Sequence, residues 1–393
     1  MDVIVLGLGV NGLAVTRSLG CRRLTVAGIY HDQDDLGRHS RYLSRVERLP
    51  EQYDARQLLT ACLAVTATRD AQKNKPVIIC TTDQFAETVA EHGALFEPYF
   101  LLTTPGKELY WRFLAKQATA DICSEHHFPI PDTRYTKTPG QLISLTKSMA
   151  YPVIIKPDLT FDRAFPGKNV VVRSHQELSD FIARYPELET RVVVQNIVPS
   201  GDGNIYVVTC FCDNNAKVRT IYSGKKIRQY LPDYGVTCFG VSEHRQALKQ
   251  TVIEFLEAIG YRGFATLEFA YDAEKDSFIF IELNIRTFYH NQLFKDAGLD
   301  INYLAYQLTA ETDELAPCLS RQQDGVYWLD FTRDFGSFMR KRKSGQLTLL
   351  PWLRDISKAR SFAYFDTGDL KPFIASVRKF IMISLSGFFR PNK

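Results

Sequence analysis

The chain has 393 residues, of which 45% are apolar and 23% charged, with a net charge of +4. That balance excludes a disordered polyelectrolyte, a collagen-like repeat and a coiled-coil rod, and no apolar run approaches the ~20 residues of a membrane-spanning helix. The length corresponds to two or three domains at roughly 150 residues each, and eight cysteines with no Cys-x-x-Cys pair are those of a reduced, cytoplasmic protein rather than a disulfide or zinc scaffold.

The opening segment DVIVLGL reads as a buried strand, because Asp2 stands where a signal peptide would be positive. Gly7-x-Gly9-x-x-Gly12 follows it and opens a helix over Asn11–Leu19. Such glycines allow a tight turn and let phosphate approach backbone N–H groups, and Asp32 lies where a ribose contact is expected. An NAD-dependent oxidoreductase is one reading of this motif, and the close-packed first turn of any βαβ unit is another. RLTVAGIY is a second strand, Ala55–Ala67 a helix, and PVIICTTD a third strand whose Thr82 or Asp83 caps the helix FAETVAEH. This alternation predicts a Rossmann-like parallel sheet covered on both faces.

A helical stretch from Lys107 to His127 ends at Pro129 and Pro131. Short strands then dominate (YPVIIKP, NVVVRS, RVVVQNIVP, NIYVVTCFCD, KVRTIYSG), with helices at Gln176–Arg184 and Glu243–Ala258. The pattern is α+β and antiparallel. FATLEFAYDAEKDSFIFIELNIRTFYH reads as a hairpin with its turn around Asp272–Asp276. Pairing about residue 275 sets Glu268 directly opposite Glu282, and two like charges on one sheet face call for a cation between them. Asn284 adds an amide oxygen on the same face, an all-oxygen set suited to Mg²⁺. Arg286 follows on that face as a fixed charge for a phosphate or carboxylate. His290, just beyond, is either structural or directed at the same cleft.

From Gly336 onward the chain holds twelve Lys or Arg against three Asp or Glu, whereas the preceding residues hold thirty-six against forty-one. LKPFIASVRKFIMISLSGFFR carries Phe373, Val377, Phe380, Ile381, Leu385 and Phe388 at helical spacing. With the run Arg340–Lys343 it either covers the core with its basic side chains solvated, or lies on an anionic membrane surface. No basic patch interleaved with aromatics stands out, so nucleic acid is not an expected partner.

Several of these stretches, taken in order, resemble the ATP-grasp ligases, and among them the carboxylate–amine ligases related to biotin carboxylase and D-aspartate ligase. FIELNIRTFYH resembles the family's metal-binding strand, with Glu268 as the acid on the neighbouring strand. YPVIIKP resembles the strand whose lysine holds ATP phosphates, here Lys156, and Lys116 stands at the position of the earlier phosphate-binding lysine. VVVQNIVPSGDGNIYVVTCFCD resembles the hinge of the ATP clasp, which assigns Asn196 and Val198 to adenine, Asp202 to the ribose and Gln195 to the same nucleotide site. SGKKIRQYLPDYG nominates Lys226 and Arg228 to face the transferred phosphate or the acyl substrate. The phosphate-covering loop departs from the family in having one glycine, Gly167, with Lys168 as an electrostatic substitute.

The resemblance implies a fold of mixed α/β and α+β class: a Rossmann-like domain over 1–106, an ATP-grasp domain over 107–310 (small subdomain about 125–198, large subdomain about 199–310), and a basic extension over 311–393. It implies ATP with one or two Mg²⁺ ions, for which Mn²⁺ can substitute. The implied reaction activates a carboxylate as an acylphosphate for attack by an amine, with Arg286, Arg228 and Lys226 as the cations of the reacting centre. Small-molecule acid and amine substrates, a cytoplasmic location with or without contact to the inner membrane face, and a homodimer are the corresponding expectations. A non-catalytic ATP-binding or membrane-associated module of the same fold is the alternative, and an NAD-dependent oxidoreductase using the N-terminal glycine loop is the second.

Overall fold

A computed structural model describes residues 1–66, 75–158, 165–167, 169–186, 190–198, 201–230, 235–312 and 322–388. The chain divides into two compact units, and neither is a continuous segment. One contains Met1–Lys107, Gly201–Leu267 and Asn284–Lys393, the other Glu108–Ser200 and Glu268–Leu283.

The first unit begins with a parallel sheet of β1 (Val3–Leu6), β2 (Val26–Tyr30), β3 (Leu43–Arg48), β4 (Val77–Cys80) and β5 (Leu101–Leu102), in the order β3-β2-β1-β4-β5. Strands β1 and β4 are buried along their whole length, as a sheet covered on both faces requires. Thr82 caps the helix Asp83–Glu91 by accepting from the Phe85 N–H. Strand β3 was not foreseen, because its residues after Leu43 are exposed and carry no apolar rhythm.

The second unit is built on an antiparallel sheet of β6 (Thr133–Thr136), β7 (Val153–Pro157), β8 (Val170–Val172) and β9 (Val192–Asn196), ordered β6-β9-β7-β8. Val153, Ile155, Val192 and Val194 bury one face of it against Leu178 and Phe181 of the helix His175–Arg184. The helical stretch expected over Lys107–His127 is two helices, Lys107–Leu114 and Lys116–Glu125, broken at Ala115, whose backbone is extended.

A larger sheet is made of β10 (Ile205–Cys212), β11 (Val218–Tyr230), β12 (Val236–Ser242), β13 (Gly263–Asp272), β14 (Ser277–Asn284), β15 (Tyr327–Leu329) and β16 (Ala359–Phe362), ordered β14-β13-β10-β11-β12-β15-β16. Strand β13 starts in the first unit and passes to the second after Leu267. One apolar cluster unites Val3 and Val5 with Val207, Phe294, Trp328 and Ala363, so residues from both ends of the chain share a core. Buried polar ties reinforce it: Arg17 pairs with Asp369 at 3.1 Å, and Asn11 donates to the carbonyls of Thr81 and Thr287 at 2.9 and 2.8 Å. Among the described residues no helix is long and apolar enough to cross a membrane.

Candidate active site

In the second unit, period-two alternation turns Lys156 and Gln195 away from the buried face of the small sheet. The Lys156 ammonium donates to Gln195 Oε1 at 3.1 Å, and Gln195 Nε2 donates to Thr133 Oγ1 at 2.9 Å, a relay across β7, β9 and β6. Asp158, just past β7, orders the second cation. Its carbonyl accepts from the Lys116 backbone N–H (3.1 Å) and Nζ (3.3 Å), and its carboxylate accepts from Gln117 N–H (2.8 Å). A carboxylate at the N-terminal end of the helix Lys116–Glu125 satisfies an orphan backbone donor there. Asn196 donates its backbone N–H to Asp132 and its amide to the Ala150 carbonyl, which withdraws that N–H from any bound base. Val198 lies two residues on, half-buried, and Lys168 falls outside the described residues.

The acidic hairpin is anchored in this unit by aromatics. Phe128, Phe269 and Phe280 meet edge-on at 5.4–5.8 Å, and Phe280 N–H donates to the Pro129 carbonyl at 2.7 Å. Two features depart from expectation. The ring pairs Phe269–Phe280 and Tyr271–Phe278 centre half a residue short of 275, so strict opposition of Glu268 and Glu282 is not the pairing these aromatics make. Glu268 is 8% exposed, but Glu282 is open to solvent because β14 is the edge strand. Among the described residues no group of three or more His, Cys, Asp or Glu gathers, which leaves Glu268, Glu282 and Asn284 as the oxygen donors in question.

The first unit holds the remaining cations. Lys226 on β11 is 4% exposed, with its ammonium 5.5 Å over the Phe288 ring. His290 is enclosed by Phe288, Phe294 and Trp328; burial, reinforced by the charge of Lys226, lowers its pKa to about 3, so the imidazole is neutral. Arg286 is clamped by Asp83, with Nε and Nη2 reaching the two carboxylate oxygens at 2.6 and 2.9 Å. Asp83 opens the helix Asp83–Glu91, so a helix first turn sets the position of this guanidinium.

Two nominated residues are engaged otherwise than expected. Arg228 donates to both oxygens of Asp334 (2.8 and 3.2 Å) and to Asp355 (2.7 Å), and its guanidinium stacks 4.4 Å over Phe239. Trp352 Nε1 donates to the same Asp334 at 2.7 Å. Arg228 thereby ties the sheet to the helices Phe331–Lys343 and Leu349–Ile356 rather than presenting a charge to a phosphate. Asp202 accepts from Gln229 N–H at 3.0 Å and pairs with Lys341 at 2.7 Å, so a cation from the basic C-terminal region already meets the carboxylate assigned to a ribose. The sequence carries no local signal for Asp158, Asp83, Asp334 or Lys341, because each acts on a partner far along the chain.

The glycine turn is also occupied. The Asp35 carboxylate accepts from Leu8 N–H at 2.9 Å, and burial raises its pKa. A phosphate there would meet an acid instead of a backbone donor. Gly12 serves close packing, since a Cβ on it would lie 1.9 Å from the Gly7 carbonyl oxygen.

An antiparallel sheet carrying Lys156, a helix opened by Lys116, and an acidic hairpin in one unit are the features of an ATP-grasp protein. The family described as carbamoyl-phosphate synthase L chain, ATP-binding domain, matches residues 115–315, and the chain belongs to this ATP-grasp family. A D-aspartate ligase of Enterococcus faecium (strain Aus0004) is 23% identical over 297 residues, 72% of this chain and 70% of that protein. The biotin carboxylase domain of Hydrogenobacter thermophilus 2-oxoglutarate carboxylase superposes with a TM-score of 0.64 at 15% identity, covering 83% of this chain and 73% of that one. N5-carboxyaminoimidazole synthetase of Staphylococcus aureus complexed with ADP gives 0.57 at 14% identity, covering 79% and 77%.

Proposed function

We propose that the protein is an ATP- and Mg²⁺-dependent carboxylate–amine ligase. The observation that carries this reading is the make-up of the second unit: Lys116, Lys156, Gln195, Asn196, Val198, Glu268 and Glu282 all belong to it. Two ammonium groups and two carboxylates in one compact body are what a metal–nucleotide triphosphate needs, cations for phosphate oxygens and carboxylates for the ion. Mg²⁺ would be held by Glu268 and Glu282, with Asn284 at the end of β14 as an amide donor, a set of hard oxygens without sulfur or imidazole. When bound, the ion neutralises phosphate charge.

In this reading a carboxylate oxygen of the acid attacks the terminal phosphorus of ATP and ADP leaves. The amine then attacks the acylphosphate carbonyl carbon, phosphate departs, and the ammonium proton is lost to solvent. Lys116 and Lys156 orient the phosphates. Arg228 and Asp202 are assigned to scaffolding. The name of the E. faecium relative makes D-aspartate the first acid to test.

The test is thermal stability with Mg·ATP, with ATP plus chelator and with NAD, on wild type and Glu282→Ala. Ligand at 100 times its dissociation constant adds about 2.7 kcal/mol. Stabilisation by Mg·ATP that is lost with chelator and in the variant supports the reading; stabilisation by NAD alone overturns it. Phosphate release that requires both D-aspartate and an amine then separates a ligase from a nucleotide-binding module.

A further inference from the structure

The C-terminal helix Lys371–Phe388 does two things at once. Phe373 and Phe380 pack inward, against Phe365 and against Phe331 and Phe335 respectively. The face beside them is open: Ile374 is 46%, Ile381 50% and Met382 70% exposed, with Val377 in the same stripe. Between this helix and the turn Leu36–His39 runs a groove of ≈ 540 Å³ whose apolar wall includes Leu36, Ile374 and Met382. Arg38, Lys371, Arg378 and Lys379 also line it. Lys379 pairs with Asp34 at 2.7 Å, whereas Lys371 and Arg378 have no ion-pair partner among the described residues. His39, also in the lining, has its pKa lowered chiefly by partial desolvation and then by the nearby Arg38 and Lys371.

We propose that this helix face and groove dock the protein on an anionic lipid bilayer, with Ile374, Ile381 and Met382 entering the interfacial layer and Lys371, Arg378 and Arg38 meeting the headgroups. A stripe of large apolar side chains flanked by cations is the pattern of a helix lying in a membrane interface. A second copy of the chain fits less well. A two-fold contact through this face would set two cationic linings against each other, since no acid lines the groove. The docking is independent of the ligase reading and needs no turnover.

The experiment is sedimentation of the full chain with vesicles of phosphatidylcholine, with and without phosphatidylglycerol. The protein is expected to pellet with the anionic vesicles at about 0.1 M salt, to be released at about 1 M salt, and to stay in solution with neutral ones. Lys371→Ala with Arg378→Ala should weaken binding about 30-fold, roughly fivefold for each cation. Ile381→Ser with Met382→Ser should weaken it at least about tenfold at low salt. All four side chains are exposed, so both variants are expected to melt as wild type does, which a melting curve checks. The proposal is overturned if wild type does not pellet, if it binds neutral vesicles equally, or if either double variant binds like wild type. It is also overturned if Ile381→Ser with Met382→Ser only converts a dimer to a monomer.

Discussion

Two lysines of the second unit and two arginines of the first meet different kinds of acceptor. In the second, Lys116 and Lys156 donate to neutral oxygens, the Asp158 carbonyl and the Gln195 amide. In the first, Arg228 and Arg286 each grip carboxylates, Arg228 in the buried interior and Arg286 nearer the surface. A neutral acceptor fixes where an ammonium sits without itself cancelling the charge. A carboxylate cancels it, and when the pair is buried the two groups depend on each other for solvation. The Arg228 cluster is therefore arranged to hold secondary structure together.

That contrast breaks most visibly at Asp334. Asp334→Ala leaves the buried Arg228 guanidinium with Asp355 alone and removes the acceptor of Trp352 Nε1, and should cost about 3–5 kcal/mol in denaturant unfolding. Replacing the pair together, Arg228→Met with Asp334→Leu, should restore much of the loss. Lys156→Ala should behave in reverse: its unliganded stability stays within about 1 kcal/mol of wild type, while the ~2.7 kcal/mol expected from saturating Mg·ATP disappears from the melting curve.

A third test uses the neutral His290. Its folded pKa of about 3 lies below the ordinary 6.5, so below pH 6.5 the unfolded chain takes up a proton that the native state refuses. Stability should then fall with pH, by up to about 1.4 kcal/mol per unit. His290→Phe should flatten this limb of a Tm–pH profile; an unchanged limb would place the acid sensitivity elsewhere. The smallest effect is expected at Asp83, whose carboxylate is half exposed. Asp83→Ala should change stability by only about 0–1 kcal/mol. If Arg286 binds the acid substrate, the same change should raise the KM for that acid and leave the KM for ATP unaltered.

The Rossmann-like start was legible because its apolar runs and glycine turn are local, and the strands β6–β9 because Val and Ile runs sit between turn residues. The break at Ala115 was not. Lys116 and Gln117 open a new helix by bonding to Asp158, 41 to 42 residues away, and no window of sequence contains both. The C-terminal region shows the same limit. Its helical spacing and charge were readable, but whether it covers the core or stays open depends on which residues meet Phe373 and Phe380. In the structure it does both, on different faces.

By itself, the sequence determined what is periodic or contiguous: the parallel start, the antiparallel strands, the acidic hairpin and the order of motifs that marks the family. Only the tertiary structure decided which charges are matched. Arg228 meets Asp334 across 106 residues, and Arg286 meets Asp83 across 203. Hydrophobic burial acts on local pattern and is visible in it, whereas an ion pair is a property of two points in space that the chain has yet to bring together.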